Sequence, residues 1–211
     1  REKPALPALD RIAPLHEQVL AALLEIARQE QHSKLTIVHK ANVLPLTDGL
    51  FRDSVRGVLA ESSIHLDVNE LLVDNAAFQL AAHPEQFELI VTTNLFGDIL
   101  SDLASVWCGG MGIAPSLNLG DRLAIAEPVH GSAPDIAGKG IANPLAAILS
   151  AALLVRYSWQ KPQQADMIEE AVRLALENDL PIENGQLQPG IPTGQITAAV
   201  IAQITKLQSL E

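Results

Sequence analysis

The segment that most constrains the fold runs over residues 87–144, FELIVTTNLFGDILSDLASVWCGGMGIAPSLNLGDRLAIAEPVHGSAPDIAGKGIANP. It opens on an apolar run, residues 87–91, closed by Thr92, Thr93 and Asn94. Beta-branched residues ended by small polar ones predict a buried strand. The period then changes. Leu95, Ile99, Leu103 and Val106 recur every three or four residues, which predicts a helix. Asp98 and Asp102 fall one turn apart in that pattern and therefore stand on one helical face. Two like charges so placed destabilise a helix by about a few tenths of a kcal/mol. A hard divalent cation such as magnesium, which takes carboxylate oxygens, turns that repulsion into binding. The turn-rich stretch HGSAPDIAGKG follows without a clear period. The first part reads as a metal site and the second as a cofactor loop.

The rest of the chain fits an α/β fold. A helix is expected over residues 10–31, after a loop over residues 1–10 that holds two prolines. A strand is expected over 35–38, with His39, Lys40, Ala41 and Asn42 at its C-terminal end, where ligands gather in α/β sheets. Thr47 is expected to cap a helix through Leu59, residues 64–68 to form a strand, and residues 71–82 a helix carrying Asp74. After Gly109-Gly110 come a strand over 123–126 and helices over 144–157, 165–176 and 197–207. Strands alternating with helices imply parallel pairing. The expected division is a small domain over residues 1–108, for dimerisation and for metal and substrate, and the C-terminal part of a large, cofactor-binding domain over 109–211.

Composition narrows the partners. A net charge of −11 argues against nucleic acid. No stretch approaches the roughly 18 apolar residues of a membrane span. A single cysteine, Cys108, excludes an internal disulfide, fits a reducing cytoplasm without excluding a mitochondrial matrix, and reads as a small buried side chain. Aromatics are only 3%, so the core must be aliphatic. Ser132 lies in G-S-A, not G-x-S-x-G, which leaves a hydrolase elbow unsupported. Taken alone, Asp74, Asp98 and Asp102 read as solvated helix residues, Lys40 as a surface charge and His130 as a hydrogen-bonded core residue. Their surroundings favour function.

Four blocks carry a resemblance: HKANVLPLTDGLFRD (39–53), LLVDNAAFQL (71–80), NLFGDILSD (94–102) and EPVHGSAPDIAGKGIANP (127–144). In this order and nearly this spacing they resemble the isocitrate/isopropylmalate family of β-decarboxylating dehydrogenases, homoisocitrate and NAD-type isocitrate dehydrogenases most of all. The resemblance implies metal-dependent oxidative decarboxylation of a 3-carboxy-2-hydroxy acid with hydride transfer to NAD. It implies that Lys40 is the catalytic lysine and contacts substrate, and that Asn42 lies near nicotinamide and substrate. Asp74, Asp98 and Asp102 would be the carboxylates for Mg2+ or Mn2+. It implies a homodimer with shared sites, the lysine and the first aspartate reaching into the neighbouring subunit. The loop from His130 through Gly131, Ser132, Ala133, Asp135 and Ile136 to Asn143 would hold adenosine, with His130 stacking near adenine and Asn143 bonding to it. Asp135 would accept a ribose 2′-OH and repel a 2′-phosphate, favouring NAD over NADP.

Family members also carry a long N-terminal portion with substrate-binding arginines and a general-acid tyrosine. Tyr157 is the single tyrosine here and stands in the wrong place for that role, and Arg1-Glu2 matches only a fragment of the family pattern. The expectation is that these 211 residues alone give no full turnover and expose apolar strand surface. The contrasting reading is a non-catalytic subunit that keeps the dimer fold and binds nucleotide. 3-Isopropylmalate and tartrate or malate remain alternative substrates.

Overall fold

The computed structural model describes residues 9–120 and 122–209, with side chains from Val19 onward. The loop expected before Leu9 and the Arg1-Glu2 pair lie outside the described residues. The chain divides into two compact units, one ending at Ala104 and one beginning at Ser105.

The first unit is built on a three-stranded parallel sheet in the order β2-β1-β3, with β1 Lys34–His39, β2 Asp67–Leu72 and β3 Leu89–Val91. A parallel sheet needs cover on both faces, and alternation along β1 supplies it. Leu35 and Ile37 pack with Leu20, Phe51, Val55 and Val91 against α1 (Leu9–Gln29) and α2 (Thr47–Glu61). Val38 points the other way, into Ala76, Leu80 and Leu100 of α3 (Val73–Ala82) and α4 (Asn94–Ser105). The start of β1 is held by Glu88, whose carboxylate accepts the N–H groups of Ser33 at 2.7 Å and Lys34 at 3.1 Å. Those two donors hold the Glu88 carboxyl below the usual carboxylate range. A depressed folded-state value means stabilisation that is present above the ordinary value and is lost as pH falls through the folded one. Glu88→Gln is therefore expected to lower the melting temperature at neutral pH. It should also melt with a flatter pH dependence than the parent between about pH 5 and about pH 3, as thermal melts across that range will read.

In the second unit, β4 (Pro115–Leu119) and β5 (Ala124–Pro128) form an antiparallel pair under α5 (Leu145–Leu153). Ser150, fully buried, fastens helix to sheet: its hydroxyl accepts the Ser116 N–H at 3.2 Å and donates toward Glu127 C=O at 2.9 Å and Ala146 C=O at 2.7 Å. Beyond α5 a π-helical turn, Leu154–Ser158, carries the helix on. Leu145, Val172, Ile196 and Val200 form the core between α5, α6 (Pro162–Asn178) and α7 (Thr193–Gln208). A two-residue hairpin joins β6 (Ile182–Glu183) to β7 (Gln186–Leu187). Asn184 and Gly185 both take positive φ there, 52° and 78°, as such a tight turn requires.

Several expectations need correction. Leu9 and Asp10 are already helical, and α1 stops at Gln29, with Gln31 in a left-handed conformation (φ 57°) just past its end. The second strand begins at Asp67 rather than residue 64, because its ladder starts where Asp67 meets Lys34. Only Leu89–Val91 of the apolar run is strand; Phe87 closes the 3-10 turn Pro84–Gln86. Thr47 is the first residue of α2 and does not cap it; the cap position is Leu46, with no side-chain bond. Cys108 is exposed, not buried, because the 3-10 turn Val106–Cys108 ends at the left-handed Gly109 (φ 97°) and turns the chain outward.

Candidate active site

The C-terminal end of β1 is where the first unit gathers chemistry. Lys40 follows His39 directly, and each of its polar groups is engaged. Its N–H donates to Asp48 Oδ2 at 2.7 Å, and its C=O accepts from Val43 N–H at 2.9 Å and Leu44 N–H at 2.8 Å. Its Nζ pairs with the Asp74 carboxylate. Asp74 stands in the first turn of α3, where the helix dipole favours a carboxylate. The Lys40 ammonium, together with Asp74's own backbone N–H, holds that carboxyl below its ordinary value. The Lys40 side chain is 24% exposed and that of Asp74 67%, so the pair is presented outward rather than sunk in the core. Asn42 is exposed on the same turn.

His39 is buried. Its Nδ1 accepts the Ala41 N–H at 3.2 Å, which leaves Nε2 to carry the proton in a neutral ring. Nε2 has no hydrogen bond among the described residues and faces Glu70 Oε2 at 3.6 Å. Glu70 is itself gripped by Arg56, Nε to Oε1 at 2.5 Å and Nη2 to Oε2 at 2.8 Å.

Asp98 and Asp102 are exposed on α4. Leu100 is the α4 residue sunk in the core, whereas Leu95 (66% exposed) and Ile99 (55%) share the outward side with the two aspartates. The helix thus has a second apolar edge that its own unit leaves uncovered. Within one chain Asp98 and Asp102 do not join Asp74: among the described residues no group of three His, Cys, Asp or Glu side chains is arranged to hold a metal ion.

The second unit carries a groove of about 770 Å³ lined by His130, Gly131, Ser132, Ala133, Ile136 and Asn143 of the expected cofactor loop. Asp135 is exposed in the turn Pro134–Ile136 and is not among the lining residues. Met111 and Gly112 also line the groove, and nothing in their sequence context announced it. Gly112 lets the chain pass close to Asn143: a Cβ there would stand 3.1 Å from Asn143 Nδ2 and crowd that amide. Asn143 Oδ1 accepts the Leu145 N–H at 3.0 Å at the start of α5, which fixes the amide so that Nδ2 is the donor left at the groove. His130 Nδ1 lies 2.9 Å from Gly131 C=O, so that nitrogen carries the proton and Nε2 is an acceptor in the neutral ring. Thr193, also unforeseen, ties down the far end of the loop: its N–H donates to Gly140 C=O at 2.8 Å and its hydroxyl to Ala142 C=O at 2.6 Å. Ala133 sits at φ 45°, a left-handed conformation that costs a non-glycine residue roughly 1 kcal/mol.

The comparisons with known proteins agree on one family. Residues 12–198 match the family described as isocitrate/isopropylmalate dehydrogenase. The chain is 56% identical over 161 residues to the isocitrate/homoisocitrate dehydrogenase of Thermus thermophilus, covering 76% of this chain and 48% of that protein. It is 51% identical over 162 residues to the homoisocitrate dehydrogenase of Methanocaldococcus jannaschii, covering 77% and 46%. Among solved structures, isocitrate dehydrogenase from Methylococcus capsulatus superposes with a TM-score of 0.83 at 37% identity, over 91% of this chain and 56% of that one. The chain spans about half the length of the curated relatives it matches.

Proposed function

Because the chain belongs to the isocitrate/isopropylmalate dehydrogenase family, we propose that it supplies three parts of a metal-dependent, NAD-linked oxidative decarboxylase. These are the catalytic lysine, the metal carboxylates and the adenosine side of the cofactor site. The substrate class is a 3-carboxy-2-hydroxy acid, homoisocitrate or isocitrate before 3-isopropylmalate, tartrate or malate. The observation that carries this reading is the Lys40–Asp74 pair. Residues 34 positions apart, on β1's end and α3's first turn, are presented together and outward.

The donor sets suit the groups they would hold. Asp98 and Asp102 are hard oxygen donors one turn apart on an exposed face, and Asp74 of the partner subunit would complete the set in a two-fold dimer. A bound Mg2+ or Mn2+ ion supplies Lewis-acid stabilisation of negative charge on substrate oxygens. The groove at residues 130–143 is large enough for an adenosine, with Asn143 Nδ2 as donor to a ring nitrogen and His130 offering a flat face. Bound NAD supplies the hydride acceptor. Asp135, exposed in the turn next to Ile136 and not on the wall, would act by charge: a second negative group, such as a 2′-phosphate, is repelled by it.

Lys40 does the proton work. As the amine it accepts the proton of the substrate hydroxyl while the C2 hydrogen leaves as hydride, and as the ammonium so formed, beside Asp74, it holds that proton for return to the decarboxylated product. Asn42, exposed on the same turn, orients substrate and nicotinamide through its amide.

The test is an assay of the protein in its native assembly with each of the five acids, with NAD or NADP, and with Mg2+ or a chelator. The expected result is NADH and CO2 in equal amounts from homoisocitrate or isocitrate, abolished by the chelator, with NAD preferred over NADP by about tenfold or more. Hydride transfer without CO2 release, or turnover indifferent to the chelator, contradicts the reading.

A further inference from the structure

We propose that Asp48 is the positioning residue for Lys40. The inference rests on the functional reading of Lys40 given above and adds a residue that reading does not include. Asp48 is only 4% exposed, although it is a carboxylate. Burying such a group is costly unless hydrogen bonds hold its charged form. Three features accommodate it: the N-terminal turn of α2, where the helix dipole favours negative charge; the Lys40 N–H, which Oδ2 accepts at 2.7 Å; and the Thr47 hydroxyl, which donates to Oδ1 at 3.4 Å. Its own N–H donates to Leu44 C=O at 3.1 Å, and Leu44 N–H in turn donates to Lys40 C=O at 2.8 Å. Asp48 therefore closes a ring of bonds around the turn that follows β1. The carboxylate side of the ring reads the Lys40 N–H, and the backbone side reads its C=O.

His39 supports the same turn from beneath. Its Nδ1 takes the next N–H, that of Ala41, at 3.2 Å. Two consecutive N–H groups at the end of β1, with no ladder partner left, are thus each taken by a buried side chain. The consequence is a fixed Cα–Cβ direction for Lys40 from which the flexible side chain reaches Asp74. Without that anchor the amine is displaced, and a displacement of about 1 Å at a reacting group costs on the order of 100-fold in rate. The acceptor oxygen is what the role requires, not the negative charge.

The experiment compares Asp48→Asn, which keeps an acceptor of the same reach, with Asp48→Ala and Asp48→Ser, which do not, all in the native assembly. Three readouts are taken: kcat and KM for the hydroxy acid, Mn2+ affinity, and amide exchange at the Lys40 N–H. The expected result is a kcat within about threefold of the parent for Asn and lowered by about 30-fold or more for Ala and Ser. KM and Mn2+ affinity should move by less than about threefold, and Lys40 amide protection should be lost only in Ala and Ser. Should Ala fail to fold, Ser with its small polar side chain carries the comparison. Turnover preserved in a variant that has lost the amide protection overturns the proposal, as does an Asn variant that falls as far as Ala. If the parent oxidises none of the acids, the functional reading fails on its own. Amide exchange still decides the contact, and an unprotected Lys40 N–H in the parent overturns the proposal.

Discussion

Lys40→Met is expected to lower kcat by about 1000-fold while leaving KM within a few-fold, because a positioned acid–base group contributes about 100- to 10,000-fold and methionine keeps the shape without the proton. The fold should survive. The Lys40 side chain is partly exposed, its pair with the largely exposed Asp74 is screened by solvent, and such pairs add little stability. Lys40→Arg should be as inactive as Lys40→Met, since a guanidinium keeps its charge and cannot take the hydroxyl proton. Steady-state kinetics with the preferred acid reads both. A Met variant retaining a tenth or so of the parent turnover would remove Lys40 from the chemistry.

Asp98→Asn and Asp102→Asn are expected to weaken Mn2+ binding by about two orders of magnitude each, with a matching rise in the metal concentration needed for turnover. Stability should move the other way. Two carboxylates one turn apart on an exposed face repel, so Asp98→Asn should leave the metal-free protein melting no lower than the parent. A helix that holds a destabilising pair of charges is explained if the pair serves a ligand. Weakened binding without loss of metal-free stability separates that account from one in which the aspartates merely keep α4 soluble. Metal titrations and melts in chelator supply the two halves of the comparison.

Part of this was legible in the residues themselves. The strand expected over residues 35–38 is β1, Lys34–His39, the most buried strand of its sheet, so Lys40 was correctly set at the strand's C-terminal end. The exposed partners were harder. β2 carries Asp67, Asn69 and Glu70 at a sheet edge, where one side needs no apolar residue, so its start was misplaced by three residues. β4 went unforeseen for a similar reason: a proline and an asparagine interrupt it, and its register depends on Ser150 from a helix 34 residues later. Nothing in the local sequence singles out Asp48. Its burial arises from a tertiary contact with Lys40 that no local pattern encodes. On α4 the apolar period was real, yet Leu95 and Ile99 face outward while Leu100 faces the core, since a helix with apolar residues on two sides gives one period for both. The cofactor loop was legible as a block of sequence, but Met111, Gly112 and Thr193, which wall and anchor it, come from distant segments.

In the proposed dimer, Asp98 and Asp102 of one subunit meet Asp74 of the partner subunit at a single ion. That shared site is tested most directly by mixing two variants, Asp74→Asn and the double Asp98→Asn/Asp102→Asn, after dissociation, and counting tight Mn2+ sites by electron paramagnetic resonance. Each variant alone should have almost none. After random reassociation the mixture should recover about a quarter of the parent's sites, because half the dimers are mixed and each of those holds one intact set. No recovery, or tight binding by either variant on its own, would contradict the account.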